Sequence, residues 1–170
     1  MQLTIIIQIV STIAMSLGIV FGILNLRNFQ FMRKREAAIL MLNSFQTMEF
    51  VRGLLYIFDL PDNATDKDLE SLPEDKYMTI YLVLGTWERL GILVHRHEIA
   101  IDLVDDAFNG PIIQSWVKLG KYVEGFRARV QRETGFEWFQ WLAERMLERE
   151  KHGSATPAYV AHKNWKPRKN

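Results

Sequence analysis

Two residues that could cleave RNA lie six positions apart near the middle of the chain. Arg89 and His95 flank the apolar run LGILV. An arginine can stabilise the developing charge of a phosphate, and a histidine can move the proton of a ribose hydroxyl. Some helical ribonucleases use this spacing, so Arg89 and His95 are candidate catalytic residues.

The same residues also suit the end of a buried helix. Every residue between Arg89 and His95 is apolar, and Glu88 with Arg89 could form ion pairs with neighbouring helices. Arg145 and His152 have a similar spacing, which shows how easily the pattern arises. Whether Arg89 and His95 are catalytic or structural stays open at this point.

Potential metal ligands cluster just after this run, at His95, His97, Glu98 and Asp102. A His-x-His pair in a turn is unspecific, so we predict no metal site and no cofactor. The chain has no phosphate-binding loop, nucleophile elbow, dinucleotide fingerprint or zinc-protease motif. It also has no cysteine, which excludes disulfides and thiolate metal sites. A net charge of +1 does not favour a nucleic-acid partner.

The N-terminal segment has the composition of a membrane span. Residues 1–26 contain no charged side chain. As a helix, Leu3–Leu26 would be about 36 Å long, which exceeds the ~30 Å hydrocarbon core of a bilayer. A signal peptide would need a basic start and a small-residue cleavage site, and neither is present. Residues 1–27 are therefore predicted to be a transmembrane anchor in contact with membrane lipids.

The charges that follow this anchor predict its orientation. Four basic residues come shortly after the span: Arg27, Arg33, Lys34 and Arg35. Basic residues next to a span stay on the cytoplasmic side. We expect a single-pass protein of a bacterial-type inner membrane, with its N-terminus outside and its C-terminal domain in the cytosol.

Small and polar residues share one face of the predicted span. They are Thr4, Gln8, Ser11, Gly18, Gly22 and Asn25. Small residues allow two helix backbones to approach closely, and polar side chains form hydrogen bonds between helices in lipid. This face is predicted to bind either a second copy of the chain or another membrane protein.

Residues 28–152 are predicted to form a cytosolic bundle of about four to five helices, so the fold class is all-α. Apolar residues recur at spacings of three and four, without sustained strand alternation. The first helix is expected to continue from the membrane to Pro61. The sequence NGP is expected to separate two helices, with Gly110 as a C-cap and Pro111 opening the next helix.

The last segment, residues 153–170, is basic and is expected to be a flexible tail. It contains Lys163, Trp165, Lys166, Arg168 and Lys169 and no acidic residue. Such a tail could contact anionic lipid, with the tryptophan at headgroup level, or could be a solvated basic end.

From Trp87 onwards the chain resembles an uncharacterised bacterial family with one N-terminal span and a helical domain. The resemblance covers roughly Tyr77–Glu144. Its residues are the run WERLGILV, followed by Asp102, Asp105, Phe108, Gly110, Trp116, Leu119, Tyr122 and Arg127. These are mainly packing residues, so the resemblance implies a fold and no reaction.

The layout is also similar to that of the membrane accessory protein of some RNA-targeting CRISPR effectors. That protein has one span, a HEPN-type helical domain and a ring-shaped oligomer. HEPN nucleases usually have a polar residue after the arginine, where this chain has Leu90. The resemblance implies a membrane-tethered ribonuclease or a pore-forming accessory in phage defence. The residues themselves favour a non-enzymatic protein that acts in assembly, as a homo-oligomer or an accessory subunit.

Overall fold

The computed structural model describes residues 12–29, 32, 36, 43, 45, 47–152 and 158–167. The chain divides into two compact units, Met1–Phe45 and Gln46–Asn170, which we call the N-terminal and C-terminal units. All regular secondary structure of the described residues is helical, without strands, which confirms the predicted all-α class.

The N-terminal unit contains α1, Thr12–Phe29, which is long and apolar enough to cross a membrane. Its mean hydropathy is 1.4, and none of it is buried. It includes Gly18, Gly22, Asn25 and Arg27 among the residues singled out above. The others in this part of the chain lie outside the described residues: Thr4, Gln8, Ser11, Arg33, Lys34 and Arg35.

The C-terminal unit is a helical bundle in which α4 lies between α2 and α6, while α5 packs against both α2 and α6. Its helices are α2 Met48–Asp59, α3 Asp66–Glu70, α4 Glu74–His95, α5 Ile101–Val130, α6 Glu137–His152 and α7 Ala158–Ala161. Trp87 is fully buried at the centre of this bundle. Its ring packs edge-on against Phe50 and Phe108, and its indole Nε1 donates a 3.2 Å hydrogen bond to Ser115.

Two expected helix boundaries are wrong. The helix that was expected to run without a break from the span to Pro61 is interrupted at Thr47. This residue is an extended N-cap, and its Oγ1 accepts a hydrogen bond from the Phe50 N–H. In contrast, α5 continues through Gly110 and Pro111 without a break. A proline inside a helix removes one backbone hydrogen bond, and here the helix is buried on both sides of it, at Val104 and Ile112.

Candidate functional site

Arg89 and His95 are both exposed on α4. Six helical residues place them about 120° apart around the helix and about 9 Å apart along it. Arg89 Nε donates to the carbonyl oxygen of Gly85 on its own helix at 3.1 Å. The His95 ring instead packs against Trp138 and Trp141 of α6, with ring centroids 4.6 and 5.7 Å apart. The two side chains therefore have separate sets of contacts.

Glu88 links α4 to the first turn of α6. Its Oε2 accepts a 2.8 Å hydrogen bond from the backbone N–H of Phe139. The first N–H groups of a helix have no acceptor within the helix, so this carboxylate caps α6 from a neighbouring element. Burial raises the pKa of Glu88 above its usual value, although hydrogen bonds from Phe139 and Trp138 oppose that rise. The expected ion pair is wrong for Glu88, because its partner is the backbone.

Gly91 is the point of closest approach between α4 and α6. A Cβ atom on this residue would lie 2.3 Å from the carbonyl oxygen of Trp138 and 2.8 Å from its carbonyl carbon. Both distances are far below van der Waals contact, so only glycine fits this crossing. Within the run WERLGILV, Trp87 fills the core, Glu88 caps α6 and Gly91 allows α6 to approach.

Arg127, the last residue of the family-like run, holds the turn between α5 and α6. Its Nε donates to the carbonyl oxygen of Gly135 at 2.7 Å, and its Nη1 donates to Gln140 Oε1 at 2.7 Å. The sequence does not indicate these partners. It shows only that Arg127 lies shortly before Gly135, which does not specify the carbonyl oxygen to which the arginine donates.

Asp102 and Asp105 are also engaged between helices. Arg149 of α6 donates to Asp102 at 2.6 Å and to Asp105 at 2.7 Å. Among the described residues, no group of three His, Asp or Glu side chains is placed to hold a metal ion. Two shallow surface depressions lie near Phe126 and Trp116, and neither is lined by Arg89 or His95.

The predicted interaction faces remain uncovered where the structure describes them. A Cβ atom added at Gly18 or Gly22 would meet nothing within 4 Å. Asn25 is exposed, as are Lys163, Trp165 and Lys166 in the tail. Arg168 and Lys169 lie outside the described residues.

These features define an all-α protein with one candidate membrane span near its N-terminus and a helical unit held together by the α4–α6 crossing. The chain belongs to the family described as a domain of unknown function, DUF4760, whose model matches residues 12–146. The match includes α1 and the bundle as far as residue 146 in α6, and the description names no activity. No curated protein and no solved structure matches the chain.

Proposed function

We propose that this chain is a non-enzymatic, single-span membrane protein that acts in assembly, as a homo-oligomer or as an accessory subunit of a membrane complex. The observation that supports this most strongly is the exposure of α1. Ile19, Phe21 and Leu24 point in different directions around the helix, yet each is more than half exposed. Apolar side chains exposed all round a helix need an apolar surrounding, and a bilayer supplies it.

The α4–α6 crossing gives the run WERLGILV a role in packing the bundle. Trp87 is in the core, Glu88 caps a helix and Gly91 lies at a helix contact. These neighbours of Arg89 and His95 hold the bundle together, while Arg89 and His95 themselves are exposed. A bundle of this kind can present surfaces to a partner without containing a reaction centre.

The first test concerns orientation. We expect a reporter that is active only in the cytosol to be active when it is fused after Asn170, because basic residues follow the span. Alkaline carbonate should leave the fusion protein in the membrane fraction. A stably expressed but inactive reporter contradicts the orientation, and release by carbonate contradicts the span.

The second test concerns assembly through α1. We expect the double variant Gly18→Ile/Gly22→Ile to form a smaller complex in detergent at unchanged membrane yield. A Cβ atom at either position would meet nothing within 4 Å among the described residues, so we expect the added side chains to act on a neighbouring helix. Loss of close packing should cost about 1–2 kcal/mol per contact. Mass photometry of the purified complex measures the change.

A matched control enlarges the opposite face of the same helix. Ser16 and Val20 lie about 200° from Gly18 and are both exposed. Ser16→Ile/Val20→Phe should therefore leave the complex unchanged. If both double variants change its size equally, or if neither does, the Gly18–Gly22 face is not the interface.

The third test compares this proposal with the HEPN-like ribonuclease. Arg89 and His95 are exposed, so Arg89→Ala and His95→Gln should change stability by about 1 kcal/mol or less. We expect the purified wild-type protein to release no more RNA fragments than either variant. RNA cleavage that disappears in both variants, at unchanged melting temperature, supports the enzyme and contradicts our proposal.

A further inference from the structure

The chain after α6 exposes two large aromatic side chains. Tyr159, in the short helix α7, is 80% exposed, and Trp165 is 72% exposed. Every residue of the described tail, 158–167, is exposed. The segment still has local order, because the backbone N–H of Trp165 donates a 2.9 Å hydrogen bond to the carbonyl oxygen of His162. These aromatic rings are therefore available to a partner outside the bundle.

The charges around Trp165 are of one sign. Lys163 and Lys166 flank it, and the sequence adds Arg168 and Lys169. No Asp or Glu follows Glu150. A partner surface that matches this tail must be anionic and must also accommodate an indole ring. The headgroup region of an anionic bilayer has both properties, because tryptophan and tyrosine concentrate there and lysines are attracted to its phosphates.

We propose that residues 158–167 bind the anionic surface of the membrane in which α1 is anchored. Lys163 and Lys166 contact lipid phosphates, and Tyr159 and Trp165 enter the headgroup region. The inference rests on the proposed function, since α1 keeps the tail close to a bilayer. A tethered segment has a high effective concentration at the surface, so a contact that is weak alone is sufficient. The tail is then a second contact of the chain with the membrane, in addition to α1.

Quenching by brominated lipid tests this contact on the full chain. The protein is reconstituted into vesicles of brominated phosphatidylcholine, with or without about 30% phosphatidylglycerol. The difference in fluorescence between wild type and Trp165→Phe isolates Trp165 from the other tryptophans. We expect the Trp165 signal to fall by about half or more when phosphatidylglycerol is present and to recover in about 0.5 M NaCl. A Trp165 signal that is the same with and without phosphatidylglycerol overturns the proposal.

Charge variants show whether the tail lysines are responsible. Lys163→Gln/Lys166→Gln should lower the ratio of bound to free tail about 30-fold. Lys67→Gln/Lys121→Gln removes the same charge from exposed positions of the bundle and should leave quenching unchanged. Equal losses in the two double variants point to a general charge effect and overturn a specific tail contact.

Flotation separates failure of this inference from failure of the membrane span. Vesicles that retain the protein after alkaline carbonate, without quenching of Trp165, support the span and overturn the tail contact. Vesicles that lose the protein in carbonate but quench Trp165 at neutral pH overturn the span and support the tail contact. A chain that does not float at either pH overturns both. Quenching that is abolished only by an added soluble protein or RNA indicates that the tail prefers that partner and also overturns the lipid assignment.

Discussion

Replacing Gly91 by alanine lowers the stability of the C-terminal unit by about 3 kcal/mol, at the upper end of the usual cost of overpacking. The added Cβ would lie 2.3 Å from the carbonyl oxygen of Trp138. The two nearest atoms are backbone atoms of Trp138, which cannot rotate away as a flexible side chain can. Helices α4 and α6 must therefore move apart, and the melting temperature should fall by about 10 °C. Circular dichroism of the full chain in detergent measures this shift.

Gly85 provides the matched control on the same helix. A Cβ atom at Gly85 would meet nothing within 4 Å. Gly85→Ala should raise stability by about 0.5–1 kcal/mol, because alanine loses less backbone entropy in a helix. Opposite shifts in the two variants locate the cost at the α4–α6 crossing. Similar shifts would mean that the close approach at Gly91 is not what limits packing.

The helices around this crossing could be predicted from the sequence because their signals are local. The apolar pattern that follows Pro73 predicts a helix to about Val94, and α4 is Glu74–His95. The pattern that follows Gly135 predicts a last helix from Phe136 to about Glu150, and α6 is Glu137–His152. In both cases apolar residues recur at helical spacing and a proline or glycine lies next to the helix start.

The sequence mispredicts two helix boundaries. Tertiary packing determines the one at Pro111, and a weak N-cap signal accounts for the one at Thr47. Pro111 is a strong local signal for a helix boundary, but the cost of one lost hydrogen bond is small beside the burial of Ile112 and Leu119. Thr47 precedes Met48 without the glutamate three residues later that marks a capping box. Its side chain still caps α2.

The roles of Glu88 and Gly91 could be assigned only from the structure. Their partners, Phe139 and Trp138, are about 50 residues away in the chain, and no periodicity relates a carboxylate to a distant backbone N–H. A glutamate next to an arginine suggests an ion pair, which is what we expected. The bundle instead directs Glu88 towards the uncapped end of α6.

Removing the Glu88 side chain should have the second-largest effect. Glu88→Ala leaves the Phe139 N–H without its 2.8 Å acceptor in a half-buried position. Loss of a helix cap and of a partly buried hydrogen bond costs about 2 kcal/mol. Glu88→Gln keeps an acceptor oxygen, so it should recover most of this stability. Thermal unfolding at neutral pH compares the two variants.

The pH dependence of stability distinguishes the hydrogen bond of the Glu88 cap from the effect of its negative charge. Burial raises the pKa of Glu88 above the value of 4.5 expected for an unfolded chain. Between these two pKa values the folded state binds more protons than the unfolded state, so stability falls as pH rises. The stability of the wild type relative to Glu88→Gln should therefore be greatest at acid pH and should decrease as pH rises from 4.5 through the raised pKa.

An exposed glutamate controls for the general effect of removing one negative charge. Glu124 lies on the surface of α5. Unfolding of wild type, Glu88→Gln and Glu124→Gln is followed across the same pH range, and the Glu124→Gln curve is subtracted from that of Glu88→Gln. If the remaining difference is constant with pH, or if wild type gains stability relative to Glu88→Gln as pH rises, burial does not dominate at Glu88. A constant difference means that the hydrogen bonds from Phe139 and Trp138 balance the effect of burial on the pKa of Glu88. A gain of stability with rising pH means that these hydrogen bonds outweigh burial, so that the carboxylate acts as a charged cap whose pKa is lowered by the helix end.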